Sequence, residues 1–134
     1  MWMFNGAEFT EDQIGNNIGF VYKIVNVASG RKYIGKKLFT FAKTKQVKGK
    51  KKRIREMSDW KDYWSSSDEL KADVASLGEQ HFTREILYLC KNKGLMSYIE
   101  AREQFDNRVL EHPDIWYNSI VNCRVHRTHI KELL

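Results

Sequence analysis

Two runs rich in β-branched and aromatic residues flank a glycine-bearing turn, and they constrain the chain more than any other feature. Phe20, Val21, Tyr22, Ile24, Val25 and Val27 make the first run, Ala28-Ser29-Gly30 the turn, and Arg31 to Phe39 resume the extended pattern. So short a connection joins antiparallel neighbours, which predicts a β-hairpin. The next stretch is of another kind. Lys43, Lys45, Lys48, Lys50, Lys51, Lys52, Arg53 and Arg55 fall within 13 residues that hold no acid. It forms the centre of an insertion at 40–57 that is too polar to pack.

Order returns at Asp59 to Trp64, where Trp60, Tyr63 and Trp64 stand at helical spacing. Ser66-Ser67-Asp68-Glu69 predicts a capping box with Ser66 as N-cap, opening a helix with Leu70, Val74 and Leu77 on one face and its end at Gly78. His81 to Cys90 predicts a third strand, with Phe82, Ile86 and Tyr88 alternating against Thr83, Glu85 and Leu87. A long helix follows from about Leu95 to Leu110, with Leu95, Tyr98, Phe105 and Val109 as its apolar stripe and Pro113 as its terminator. Ile120 to Val125 reads as a further extended piece and the C-terminus as helical. This order predicts an α+β domain on a small, mainly antiparallel, three-stranded sheet flanked by helices. Residues 1–18 read as an N-terminal extension, 19–125 as the domain, and 126–134 as a tail.

Composition bounds the function. The 134 residues suffice for one domain, and 42% hydrophobic with 30% charged residues excludes disorder. No apolar run approaches the ~20 residues of a membrane span, and the N-terminus lacks the basic start of a signal peptide. Cys90 and Cys123 make no disulfide framework, so a reducing compartment is expected. The net charge is +6, yet outside the Lys43–Arg55 stretch 15 basic residues face 17 acidic ones. The whole positive excess therefore sits in one place. That predicts contact with a polyanion, nucleic acid by default, against the blander reading of a solvated basic loop.

Five short segments carry a family likeness. Val21-Tyr22 lies on the first hairpin strand and Tyr33-Ile34-Gly35 on the second, the tyrosines eleven positions apart. Asp59-Trp60-Lys61-Asp62-Tyr63, then Glu100 within Ser97-Tyr98-Ile99-Glu100-Ala101, then Trp116-Tyr117-Asn118 follow in order. Together they resemble the GIY-YIG nucleases, most closely the phage-type branch of free-standing, homing-endonuclease-like proteins, over about residues 19–125.

The resemblance implies a metal-dependent DNA endonuclease that hydrolyses phosphodiester bonds in the cytoplasm of a bacterium or phage-infected cell. Its partner would be DNA, with no membrane and no small-molecule cofactor. Tyr22 and Tyr33 would deprotonate and position the attacking water. A free tyrosine titrates near 10, so a base role requires a metal or a lysine such as Lys36 to lower it. Glu100 matches the family's metal-binding carboxylate for magnesium, or another divalent cation such as manganese, an ion that prefers oxygen ligands and keeps most of its waters. Glu103 competes with it, lying fifteen positions before Asn118 on nearly the same helix face. Asn118 matches the asparagine that closes the site by hydrogen bonding.

Two departures stand out. Phe20 occupies the place of the first motif's glycine, with Gly19 one position earlier. No arginine lies within Leu38 to Lys48, where relatives carry one, so Arg55 is taken for it, with Arg53 and Lys61 as further candidates. The other basic residues, Lys43, Lys45, Lys48, Lys50, Lys51, Lys52 and Arg53, are expected to bind nucleic acid. Cys123, His126 and His129 have compact metal-ligand spacing but supply only three ligands, so surface histidines are favoured. Trp60, Tyr63 and Trp64 fit core packing better than base stacking. Two functions compete with cutting: a binding module that grips nucleic acid without hydrolysing it, and a protein-interaction domain with an acidic partner.

Overall fold

A computed structural model describes residues 1–134. The expected hairpin is present as β3 (Gly19–Asn26) and β4 (Lys32–Leu38). Asn26 shapes its turn: the side-chain oxygen accepts from the backbone N–H of Ala28 and of Ser29, and Gly30 takes the positive φ of 78° that closes it. β7 (Phe82–Cys90) pairs antiparallel with β3 on the other side.

The sheet has five strands and is mixed, where three were expected. β1 (Trp2–Phe4) adds parallel to β7, and β2 (Ala7–Glu8) adds antiparallel to β1, giving the order β2-β1-β7-β3-β4. Residues 1–18, read as an extension, thus supply two strands and the core residues Trp2, Phe9 and Ile14. Strands of two and three residues are too short for alternation to register in a sequence.

Each face of the sheet carries its own core. Phe20, Tyr22, Ile24, Phe82 and Ile86 pack with Trp2, Phe39 and Trp60, and with Leu70 and Val74 of α1 (Asp68–Leu77). Val21, Ile34 and Cys90 face the opposite way, against Leu95, Met96 and Ile99 of α2 (Lys93–Asp106). α2 comes so close that a Cβ on Gly19 would lie 2.5 Å from Met96 Sδ. Phe20, in the motif's glycine position, is wholly buried with its ring 4.7 Å from that of Phe39.

Several local expectations shift. Ser67, not Ser66, caps α1, accepting from Leu70 N–H at 3.2 Å. α2 ends at Asp106 and turns Phe105 outward, 65% exposed, while the polar Gln104 is buried in its place. Trp60 lies in a single 3-10 turn over Trp60–Asp62. Ile120 to Val125 forms no strand, and the C-terminus is 3-10 over Arg127–Leu133. The basic insertion is a two-stranded ribbon, β5 (Thr40–Val47) and β6 (Lys50–Met57), in a sheet of its own. It follows β4 after one residue, Phe39, whose carbonyl accepts from Ser58 N–H at 2.8 Å to close the ribbon's base.

Candidate active site

β4 is an edge strand, and the candidate site lies along it. Its outward backbone groups are covered in part by the segment after α2. Lys32 N–H donates to Ile115 C=O at 2.7 Å, and Lys32 C=O accepts from Tyr117 N–H at 2.8 Å. One step on, Asn118 grips Ile34 with both ends of its amide: its oxygen accepts from Ile34 N–H at 3.1 Å and its nitrogen donates to Ile34 C=O at 2.8 Å. Gln104 Nε2 of α2 donates to the same carbonyl at 3.0 Å. Asn118 therefore acts on the strand backbone, between Tyr33 and Gly35, and substitutes for a neighbouring strand.

The two motif tyrosines share the sheet face opposite α2, because Tyr22 stands across from Gly35 and Ile24 across from Tyr33. Their rings stack at 6.1 Å with 29° between planes. Gly35 makes this possible: a Cβ there would lie 2.5 Å from the Tyr22 hydroxyl and 2.7 Å from the Tyr33 ring. A register shift in the β3–β7 pairing falls between Val21 and Tyr22, a bulge that re-aims the strand beside the site. Tyr33 Oη is 3.0 Å from Ser66 Oγ. The one-residue shift of the helix cap is what leaves Ser66 free for that contact.

Tyr63 completes the aromatic group, its ring 6.1 Å from that of Tyr22 and under Lys37 Nζ at 4.1 Å. Lys37 also pairs with Asp59 at 2.6 Å. The sequence held a signal for Tyr63 in the Asp59–Tyr63 block, but not one that separated it from Trp60 and Trp64. Trp60 is buried in the core, and Trp64 packs on Phe82 and under the Arg84 guanidinium at 4.1 Å.

Lys36 and Glu100 approach from the α2 side of the sheet. Lys36 Nζ donates to Ser97 Oγ at 2.8 Å and stands 3.9 Å from Glu100 Oε1. The Glu100 side chain is only 13% exposed. Burial raises its pKa, and Lys36 offsets only part of that. The Glu100 charge adds a little to the rise in the pKa of both Tyr22 and Tyr33.

Burial pushes Tyr22 well above the ordinary phenol range, with Tyr33, Tyr63 and Glu100 adding to the rise. Tyr33 is raised too, again chiefly by burial. Both are neutral phenols at neutral pH and do not take a proton from water unaided; Tyr22 is 1% exposed, so Tyr33 is the one able to donate a hydrogen bond to an anion.

Arg55 lies apart from this group. Its guanidinium donates to Thr40 Oγ1 at 2.8 Å and Thr40 C=O at 2.6 Å, at the base of the ribbon. Arg53 and the ribbon lysines lie farther out on exposed strand positions, and Lys61 pairs with Glu11 at 2.7 Å. No group of three His, Cys, Asp or Glu side chains is placed to hold a metal. The spacing of His126 and His129 instead serves a helix start, where His129 Nδ1 accepts from His126 N–H at 3.1 Å. No helix is long and apolar enough to cross a membrane.

The chain matches a family described as "Putative endonuclease segE, GIY-YIG domain" over residues 2–121, a span that includes β1 and every site residue above. No curated protein and no solved structure matches it.

Proposed function

This chain belongs to the GIY-YIG nuclease family, in its segE branch, and we propose that it is a metal-dependent DNA endonuclease of the cytoplasm. The observation that carries the reading is the approach of Glu100 Oε1 to Lys36 Nζ at 3.9 Å on the edge strand β4, whose opposite face presents Tyr33 stacked on Tyr22.

The donor set fits one kind of ion. Glu100 is a nearly buried carboxylate whose single cationic neighbour sits at 3.9 Å, so its charge is under-compensated. A divalent cation such as magnesium or manganese, held by Glu100, a substrate phosphate and its own waters, would supply the missing charge, polarise the phosphate and steady the departing oxyanion. The rest falls to the protein. Lys36, held in place by Ser97, offsets charge on the phosphate as the new P–O bond forms. Tyr33 donates its phenolic proton as a hydrogen bond to the phosphate, oriented by Ser66 and by the ring of the buried Tyr22 stacked on it; the attacking water gives up its proton to solvent and the leaving oxygen takes one from solvent. Asn118 keeps the β4 edge in register beneath them.

Arg55, bound to Thr40, favours a second reading, in which the fold grips DNA through its ribbon and does not cut. A supercoiled plasmid separates the two. Nicking with magnesium that stops with chelator supports the enzyme; DNA binding with no nicking under any divalent cation supports the module.

A further inference from the structure

The ribbon's two faces differ in chemistry, and its turn fixes which residues share each face. Lys48 and Gly49, with φ of 51° and 77°, form a two-residue loop of the type that locks hairpin register. Lys43 pairs with Ile54, Thr44 with Arg53, Lys45 with Lys52, and Gln46 with Lys51. One face therefore carries Ala42, Thr44, Gln46, Lys51, Arg53 and Arg55. The other carries Lys43, Lys45, Lys50 and Lys52 between the apolar Phe41, Val47 and Ile54. Side-chain partners agree with this division: Arg55 binds Thr40 on the first face, and Lys43 pairs with Glu56 at 3.0 Å on the second.

Lysine ammonium groups are point charges suited to phosphate, whereas arginine, glutamine and threonine match base edges. We propose that the ribbon lies in the major groove of duplex DNA and reads base edges with Thr44, Gln46 and Arg53, its lysine face reaching the phosphate walls. This rests on the nuclease reading and gives it a specificity element. Size and charge support the choice. A two-stranded ribbon fits the ~12 Å major groove of B-DNA and not the ~6 Å minor groove, and the A-form major groove of RNA is too narrow to be read. None of the ribbon residues is buried. Eight residues per strand extend about 27 Å, or roughly eight base pairs. Because the ribbon starts one residue after β4, the bases it reads lie within about one helical turn of the cut.

The test is selection of bound duplexes from a randomised DNA pool by the full chain. A preferred motif containing a guanine is expected, with binding blocked by methylation at guanine N7. Arg53→Lys keeps the charge and loses the planar fork, so discrimination at that guanine should relax by about 10- to 100-fold while the salt dependence of binding holds. Lys45→Ala and Lys52→Ala should leave the motif intact and flatten the log–log salt slope by about 0.9 for each phosphate no longer neutralised. Binding without preference, a motif indifferent to Arg53→Lys, or blockage only by minor-groove adenine methylation overturns the ribbon reading and spares the endonuclease. Failure to bind any duplex DNA, or preference for duplex RNA, overturns both.

Discussion

Glu100 must be charged to hold a cation, yet it is nearly buried. Its pKa in the folded protein lies above the ordinary carboxylate value because of burial. Its contribution to stability is therefore full below the unfolded pKa, near 4.5, and is lost as pH rises through the folded value. Once ionised, it costs the fold stability. Glu100→Gln should accordingly melt higher than the natural protein, by a margin that widens between pH 5 and pH 8. Thermal melts at the two values check this, and a margin that narrows means burial is not the dominant cause. The same substitution should cut nicking by ~10²-fold or more and leave DNA affinity equal or higher, whereas Glu103→Gln should cost little. Gly35→Ala makes a different demand. The new methyl would meet both tyrosine rings, so the phenols must move. Displacing a reacting group by about 1 Å costs on the order of 10²-fold in rate, with roughly 1–3 kcal/mol of overpacking. Nicking rate and urea midpoint, measured together, separate the two effects.

An edge strand is open to misregistration unless something pairs with it. For β4 that partner is an irregular segment, Ile115 to Asn118, whose amide side chain imitates a strand. Asn118→Ala removes both bonds to Ile34 and should cost about 1–3 kcal/mol. It should also speed hydrogen exchange at the Ile34 amide before global unfolding, and slow cutting through the loosened strand. Unchanged exchange at Ile34 would count against this role. At the start of α1, Ser67→Ala should cost ~1 kcal/mol as a lost N-cap. Ser66→Ala should leave stability within about 0.5 kcal/mol, as at an ordinary surface site, and lower the nicking rate through Tyr33. Had the capping box begun at Ser66, the two results would be exchanged.

The molecule is closed at its other margin by its own N-terminus. Trp2 is 2% exposed; its indole N–H donates to Trp60 C=O at 2.8 Å, and Arg84 stacks on its ring at 4.7 Å. Trp2→Ala should cost ~3–5 kcal/mol in chemical denaturation. A loss under about 1 kcal/mol would mean that β1 is dispensable. The two cores share only the sheet between them. Nicking should therefore be sensitive to damage on either face, since Tyr33 and the Lys36–Glu100 pair stand on opposite faces of β4.

Local chemistry alone specified the β3–β4 hairpin, β7 and α1, because their signals are periodicity, a glycine turn and a cap. The family resemblance, not local chemistry, pointed to Tyr22, Tyr33, Lys36, Arg55, Glu100 and Asn118. Long-range pairing decided the rest. Trp2 became core because β7, far along the chain, offered it an edge, and Gln104 took the inward position expected of Phe105, where it adds a second donor to Ile34 C=O beside Asn118. The basic run showed its charge in sequence, but only strand pairing across Lys48-Gly49 sorted its arginine, glutamine and threonine onto one face and its paired lysines onto the other. Which carboxylate meets Lys36 depended on how α2 packs against the sheet. Glu100 and Glu103 lie one turn apart on the same helix, and only the docked helix sets one at the β4 edge.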